Sequence, residues 1–141
     1  MLYTYDPKLV VYSFRGLQIT GFAVGSMIIA SRNEDAFTMA PGAVGDVTRV
    51  RSRNRTGSII FNVIQSAPAN SVLSAIHAED ELIGTGVGPS FLKDLNGTTI
   101  IEAPESWIRK YPDAEFGTDE TPREWIVDCA ELIMLVGGAN S

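Results

Sequence analysis

The stretch VTRVRSRNRTGSIIFNVIQ, residues 47–65, sets arginine at every second position: Arg49, Arg51, Arg53 and Arg55. A β-strand points successive side chains to opposite faces, so this spacing puts the arginines on one face of a strand. Asn54–Gly57 reads as the turn of a hairpin. Residues 46–53 would then pair antiparallel with 58–65, setting Arg53 opposite Ser58, Arg51 opposite Ile60 and Arg49 opposite Asn62. Thr48, Val50 and Ser52 would share a core face with Ile59, Phe61 and Val63. Arg49, Arg51 and Arg53 would share the other face with Ser58, Ile60, Asn62 and Ile64. Arginines beside isoleucines suggest a face that is covered by something or lines something.

Outward from this hairpin the chain keeps a strand-rich pattern. Residues 9–22 read as two strands around a turn at Arg15-Gly16, and 25–32 as a further short strand; valine, tyrosine, phenylalanine and isoleucine favour pleated structure. Residues 33–46, with three acids, a proline and two glycines, read as a long loop, and loops of that length usually carry a task. Phe37 and Met39 are unusually apolar for such a loop. Ala69, Val72, Leu73 and Ile76 recur at helical spacing after Pro68, which predicts one helix over about 68–80. The glycine-rich residues 84–89 break the pattern. A strand is expected at 98–103 after the turn at Asn96-Gly97, then an irregular segment over 104–122 and one long closing strand over 123–136. The fold class is α+β, mostly β: an antiparallel barrel or two-sheet sandwich with one flanking helix.

The 141 residues suit a single domain, residues 1–141, with a proper core. No apolar run approaches the about 20 residues of a spanning helix, and the first residues do not read as a signal peptide. One cysteine, Cys129, excludes an internal disulfide and fits a reducing compartment. The formal charge of −6 argues against a general nucleic-acid binder. Charge is nonetheless uneven: residues 100–131 hold nine acidic and three basic residues, whereas 47–55 hold four arginines and no acid. Opposite patches on one chain let copies of that chain attract one another, although two solvated faces would give the same pattern. A small nucleic-acid-binding β-barrel, using the arginines with stacking aromatics, is the competing reading.

No catalytic set accompanies these features. His77, the single histidine, falls on the predicted helix without the nucleophile motif that a catalytic imidazole needs, and reads as an ordinary helix residue. One histidine and one cysteine cannot build a zinc site. The segment GTGVG lacks the ending of a phosphate loop. Glu79, Asp80 and Glu81 lack calcium-loop spacing and read as a solvated helix end. Trp107 and Trp125 read as core or interface anchors. The expectation is therefore no enzyme, no cofactor and no metal: an assembly protein.

A resemblance gives that expectation a name. The run MLYTYDPKLVVYSFRGLQITGFAVGSMI is similar to the opening of tail tube proteins of contractile-tailed bacteriophages, through Tyr5-Asp6-Pro7, Gly16 to Gly25 and Arg32 to Phe37. The likeness continues, in order, through GDVTR, RTG, QSAPAN, TG.G, KDL.GTT, PDAEFG, REW and VGG. Val24 departs from it, standing where the family's turn carries a small acidic residue. The resemblance implies hexameric rings stacked into a tube inside a contractile sheath, with sheath, baseplate and tail terminator proteins as partners. Genomic DNA would pass through the lumen without specific binding, and no membrane is involved. The expected place is the virion tail, assembled in the host bacterial cytoplasm. A type VI secretion-like or other phage-derived contractile-injection tube protein is the alternative. Under this reading Glu34, Asp35, Phe37 and Met39 belong to a loop that contacts a neighbouring ring, and Arg49, Arg51 and Arg53 form an inter-subunit or lumen-edge feature facing the acidic 100–131 region. The lumen cannot grip DNA, because an unpaired arginine row repeated around a ring would hold phosphates by counterion release.

Overall fold

The computed structural model describes residues 1–25 and 27–138. Ten strands and one α-helix are found among them: β1 (Val10–Phe14), β2 (Leu17–Ile19), β3 (Ile28–Arg32), β4 (Phe37–Pro41), β5 (Val47–Arg51), β6 (Gly57–Val63), α1 (Ala69–Ile83), β7 (Gly88–Asp94), β8 (Ile100–Lys110), β9 (Arg123–Cys129) and β10 (Ile133–Leu135). Eight strands form one antiparallel sheet in the order β2-β1-β7-β8-β9-β6-β3, with β10 also on β8. The remaining two, β4 and β5, form a separate two-stranded sheet. The mostly β architecture with one helix is the one the sequence predicts.

Alternation builds the core. On β6, Ile59, Phe61 and Val63 are fully buried, and across the ladder Val127 and Trp125 of β9 meet Ile59 and Phe61. Tyr12 and Phe14 of β1, Leu92 of β7 and Ile108 of β8 complete the same interior. The helix covers this interior with Ala69, Leu73 and His77, and Val72 is left on the surface. The helix runs three residues beyond its predicted end and stops where the Gly84 N–H returns to the Asp80 carbonyl at 2.8 Å. Trp125 is locked to the helix, because its indole Nε1 donates to Asn70 Oδ1 at 2.9 Å. One polar chain crosses the interior: Tyr12 Oη, Ser90 Oγ and Ser106 Oγ are linked at 3.1 and 2.7 Å, and Ser106 donates to the Gly88 carbonyl at 2.7 Å. Each hydroxyl has a partner, which is what makes its burial tolerable.

The structure corrects four expectations. The hairpin pairing 46–53 with 58–65 does not form. β5 pairs with β4, setting Phe37 opposite Arg51 and Met39 opposite Arg49. β6 is already flanked on both edges, by β3 and by β9, so no edge remains for β5. Thr48 and Val50 are accordingly exposed and Ser52 half-buried, not members of the core. Residues 33–46 are likewise not a plain loop, since they contain β4; the true turn spans 42–46, with Gly45 at φ +88°, a conformation suited to glycine. Residues 104–110 are strand rather than irregular. Pro104 is accommodated because the β7–β8 register shifts between Gly88 and Ser90, a bulge where a missing N–H costs no ladder bond. Finally, the closing segment is two strands. Leu132 turns inward to full burial between β9 and β10, and Arg32 clamps that corner by donating from Nε and Nη2 to the Leu132 carbonyl at 3.0 and 2.8 Å.

Candidate assembly surface

Every strand residue of the β4–β5 hairpin is exposed. Its register sorts the side chains into two faces. Phe37, Met39, Pro41, Val47, Arg49 and Arg51 share one; Thr38, Ala40, Thr48 and Val50 share the other. On the first face the Arg49 guanidinium carbon lies 3.7 Å from the Phe37 ring centre and that of Arg51 at 5.9 Å. Met39 beside them is 80% exposed. The face is thus both apolar and doubly cationic.

The hairpin is tied at its root. Ser52 N donates to the Ala36 carbonyl at 2.8 Å, Asn33 N to the Thr56 carbonyl at 3.0 Å, and Ser52 Oγ to Glu34 Oε2 at 3.1 Å. Asn54 Oδ1 accepts from both the backbone and the hydroxyl of Thr56. The alternating arginines therefore divide. Arg49 and Arg51 stand on the hairpin with Phe37 and Met39. Arg53 stands at the root, beside a shallow cleft shared with Ala130 and Glu131. Arg55 pairs with Glu131 at 3.3 Å, an exposed pair worth at most about 1 kcal/mol. Glu34 supports the root and Asp35 is exposed next to it.

The acidic stretch divides too. Asp128 accepts a two-pronged contact from Arg109, with distances of 3.0, 3.0 and 2.7 Å, and this bond holds the Arg109 guanidinium charged. Residues 111–122 carry Asp113, Glu115, Asp119 and Glu120 on a loop with definite anchors. Buried Arg123 donates to the Thr121 carbonyl and hydroxyl at 3.1 and 2.7 Å and to the Glu115 carbonyl at 3.1 Å, with its guanidinium 5.3 Å from the Phe116 ring centre. Glu120 accepts from Ser66 N at 2.7 Å, and hydrogen bonds from Ser66 hold its carboxyl below the usual range. Thr121 N donates to Gln65 Oε1 at 3.2 Å. Between this loop and α1 lies a cleft of about 510 Å³ bordered by Asn70, Tyr111, Phe116, Arg123 and Trp125. The sequence pointed to the acidity of this segment but not to its order. Arg123, an arginine buried at a strand start, gives no local pattern to read.

Two groups with chemical potential are held in structural roles. His77 is buried, with Nε2 2.9 Å from Glu81 Oε1 and its ring edge-on to Tyr111 at 4.5 Å between centres. Cys129 is buried, and burial, followed by the charge of Asp128, pushes its thiol up to about 11. Among the described residues no three His, Cys, Asp or Glu side chains gather as a metal site. No helix among them is long and apolar enough to cross a membrane.

Residues 9–137 match the family model described as bacteriophage PhiTE tail tube protein. The chain belongs to that tail tube family. This is a structural family and not an enzyme family, and the tail tube protein is accordingly a structural component of a phage tail. It is 26% identical over 143 residues to structural protein ORF10 of Pseudomonas phage KPP10, covering 96% of this chain and 83% of that one. Solved structures of contractile injection systems share its fold. The sheath/tube terminator of the extracellular contractile injection system PVC, in the extended state, gives a TM-score of 0.67 at 14% identity over 96% of this chain and 99% of that one. The tube terminating cap of the anti-feeding prophage AFP gives 0.67 at 8% identity over 96% and 93%. The PVC sheath-tube complex gives 0.65 at 13% identity over 94% and 92%.

Proposed function

We propose that the whole chain acts as one tail tube domain, forming six-membered rings that stack into the inner tube of a contractile tail and leave a lumen for DNA ejection. The observation that carries this reading, within a tail tube family, is the β4–β5 hairpin. Two strands alone are marginally stable in water. All ten strand residues of this hairpin are exposed, and its apolar face has no cover among the described residues. Such an element gains its stability on assembly. The sheath around the tube and the baseplate and terminator at its ends are the further partners, and assembly takes place in the host bacterial cytoplasm.

A second reading has a specific support. Two of the structures that share the fold are a sheath/tube terminator and a tube terminating cap. A terminator closes a tube instead of extending it. Negative-stain microscopy of the purified chain over a wide concentration range separates the two. Tubes support the first reading, single rings that never elongate support the second, and a strict monomer overturns both.

A further inference from the structure

We infer that the Phe37–Arg49 face of the hairpin docks, in a second copy of the chain, against the acidic loop 111–122 and the cleft beside it. This deepens the tube reading and rests on it.

The first argument is polarity. β6 runs from Gly57 to Val63, and β9 lies against it from Cys129 back to Arg123. The hairpin leaves the sheet at the Gly57–Cys129 end, where Asn33 and Thr56 close its root. The acidic loop joins the sheet at the Val63–Arg123 end. Seven residue pairs separate the two ends, which at 3.3 Å per residue is about 20 Å. One protomer therefore presents unlike surfaces at opposite ends of the same strand pair. A contact between unlike surfaces does not close on itself as a two-fold dimer does; it propagates from copy to copy.

The second argument is chemistry. The hairpin offers Met39 and Phe37 flanked by Arg49 and Arg51. The far end offers Tyr111 and Phe116, the latter 77% exposed, on the rim of the 510 Å³ cleft. Immediately beside it, a smaller cleft of about 200 Å³ carries Asp113, Glu115 and Glu124 against a single lysine, Lys110. Apolar groups thus face apolar groups and two cations face three carboxylates. Complementary patches steer association and suppress wrong partners.

The third argument is order. Arg123, Ser66 and Gln65 pin the loop by five hydrogen bonds, so the backbone that carries the carboxylates is already in place before binding. A receptor already in place costs less to occupy. On the donor side, Arg49 is held against the Phe37 ring.

The test reverses charge on each surface. Arg49→Glu with Arg51→Glu inverts the hairpin, and Asp113→Lys with Glu115→Lys inverts the loop. Each variant should fold as the parent does by circular dichroism, and each should raise the concentration needed for assembly roughly tenfold or more. A chain carrying all four changes has complementary surfaces again and should assemble. An equimolar mixture of the two single-surface variants should also assemble, since each then meets a matching partner. Separately, Met39→Cys in one copy and Phe116→Cys in another should form an intermolecular disulfide on mild oxidation, and buried Cys129 should not compete. A parent that assembles while the four-change chain and the mixture do not would overturn this docking and leave the tube reading standing. Unimpaired assembly of either single-surface variant would overturn it as well. A parent that never self-associates would overturn both.

Discussion

The guanidinium carbon of Arg49 lies 3.7 Å from the centre of the Phe37 ring, although the residue directly across the ladder from Phe37 is Arg51. The closer contact is therefore the diagonal one. Diagonal neighbours on one sheet face are within reach of long side chains. The contact matters more for presentation than for folding, because an exposed cation–π pair contributes about 0.5–1 kcal/mol. Phe37→Ala is expected to change the unfolding free energy by no more than about 1 kcal/mol in urea titration. The same change should raise the concentration at which assembly begins, read by sedimentation. Unchanged assembly would remove the ring from the contact.

Gly57 makes a sharper stability prediction. A β-carbon there would stand 2.6 Å from the Ser31 carbonyl oxygen and 2.7 Å from Leu132 Cδ2. Neither neighbour can yield freely, since Ser31 is paired in the β3–β6 ladder and Leu132 is fully buried. Gly57→Ala should destabilise by roughly 1–3 kcal/mol in chemical denaturation. Gly117→Ala is the control, because nothing lies within 4 Å of its added carbon.

Gly57 also marks where sequence reasoning succeeded and where it failed. The Arg15-Gly16 turn, the helix face of Ala69 and Leu73, and the buried set Ile59, Phe61 and Val63 were legible, because each follows from local alternation or helical spacing. The partner of residues 47–51 was not. Alternation tells which residues share a face but not which strand lies alongside. The sequence neighbour 58–65 was the economical choice, yet both edges of β6 are taken by strands distant in the chain or folded back from it. Phe37 and Met39 stand out in the sequence as misplaced apolar residues. Their alternation through Pro41 was itself the sign of β4. Pro104 hid most of β8, since only the pairing register reveals that it sits in a bulge. For the assembly surface, the opposed charge blocks were visible in the sequence. That one sits on a free hairpin and the other on a pinned loop at the far end depends on long-range pairing.

Two buried groups predict alkaline sensitivity. The Cys129 thiol is pushed from its ordinary 9.0 up to about 11, and burial likewise raises the Tyr12 phenol above its ordinary value. Both are neutral when protonated, so the folded state holds these protons more tightly than the unfolded state. Stability from this source is complete below the unfolded values and is lost as pH rises through the window above about 9. Thermal unfolding between pH 7 and 11 should therefore show a falling midpoint from about pH 9 upward. Cys129→Ala should lower the whole curve through lost packing while making its alkaline limb shallower. A limb of equal steepness in that variant would assign the loss to other groups. Thiol reagents at pH 8 should label Cys129 slowly in the folded chain and rapidly in urea.

The hairpin itself supports the most direct prediction. Its strands bury nothing in the protomer, and the two hydrogen bonds between Asn33 and Thr56 close the main sheet beneath it. Removing residues 36–52 and joining Asp35 to Arg53 with a short glycine–serine linker should leave the core untouched, because each member of the buried cluster lies outside that segment. The expected outcome is a monomer whose circular dichroism loses only a little strand signal and whose unfolding midpoint stays within a few degrees of the parent. Elongation should be abolished, since the deletion removes Phe37, Met39, Arg49 and Arg51 together. Long tubes from the deleted chain under the electron microscope would show that the hairpin is dispensable and that stacking runs through the main sheet. A destabilised monomer would instead show that the hairpin supports the fold through its root, and restoring Ser52, the partner of Glu34, with a longer linker would then recover the midpoint without recovering the tubes.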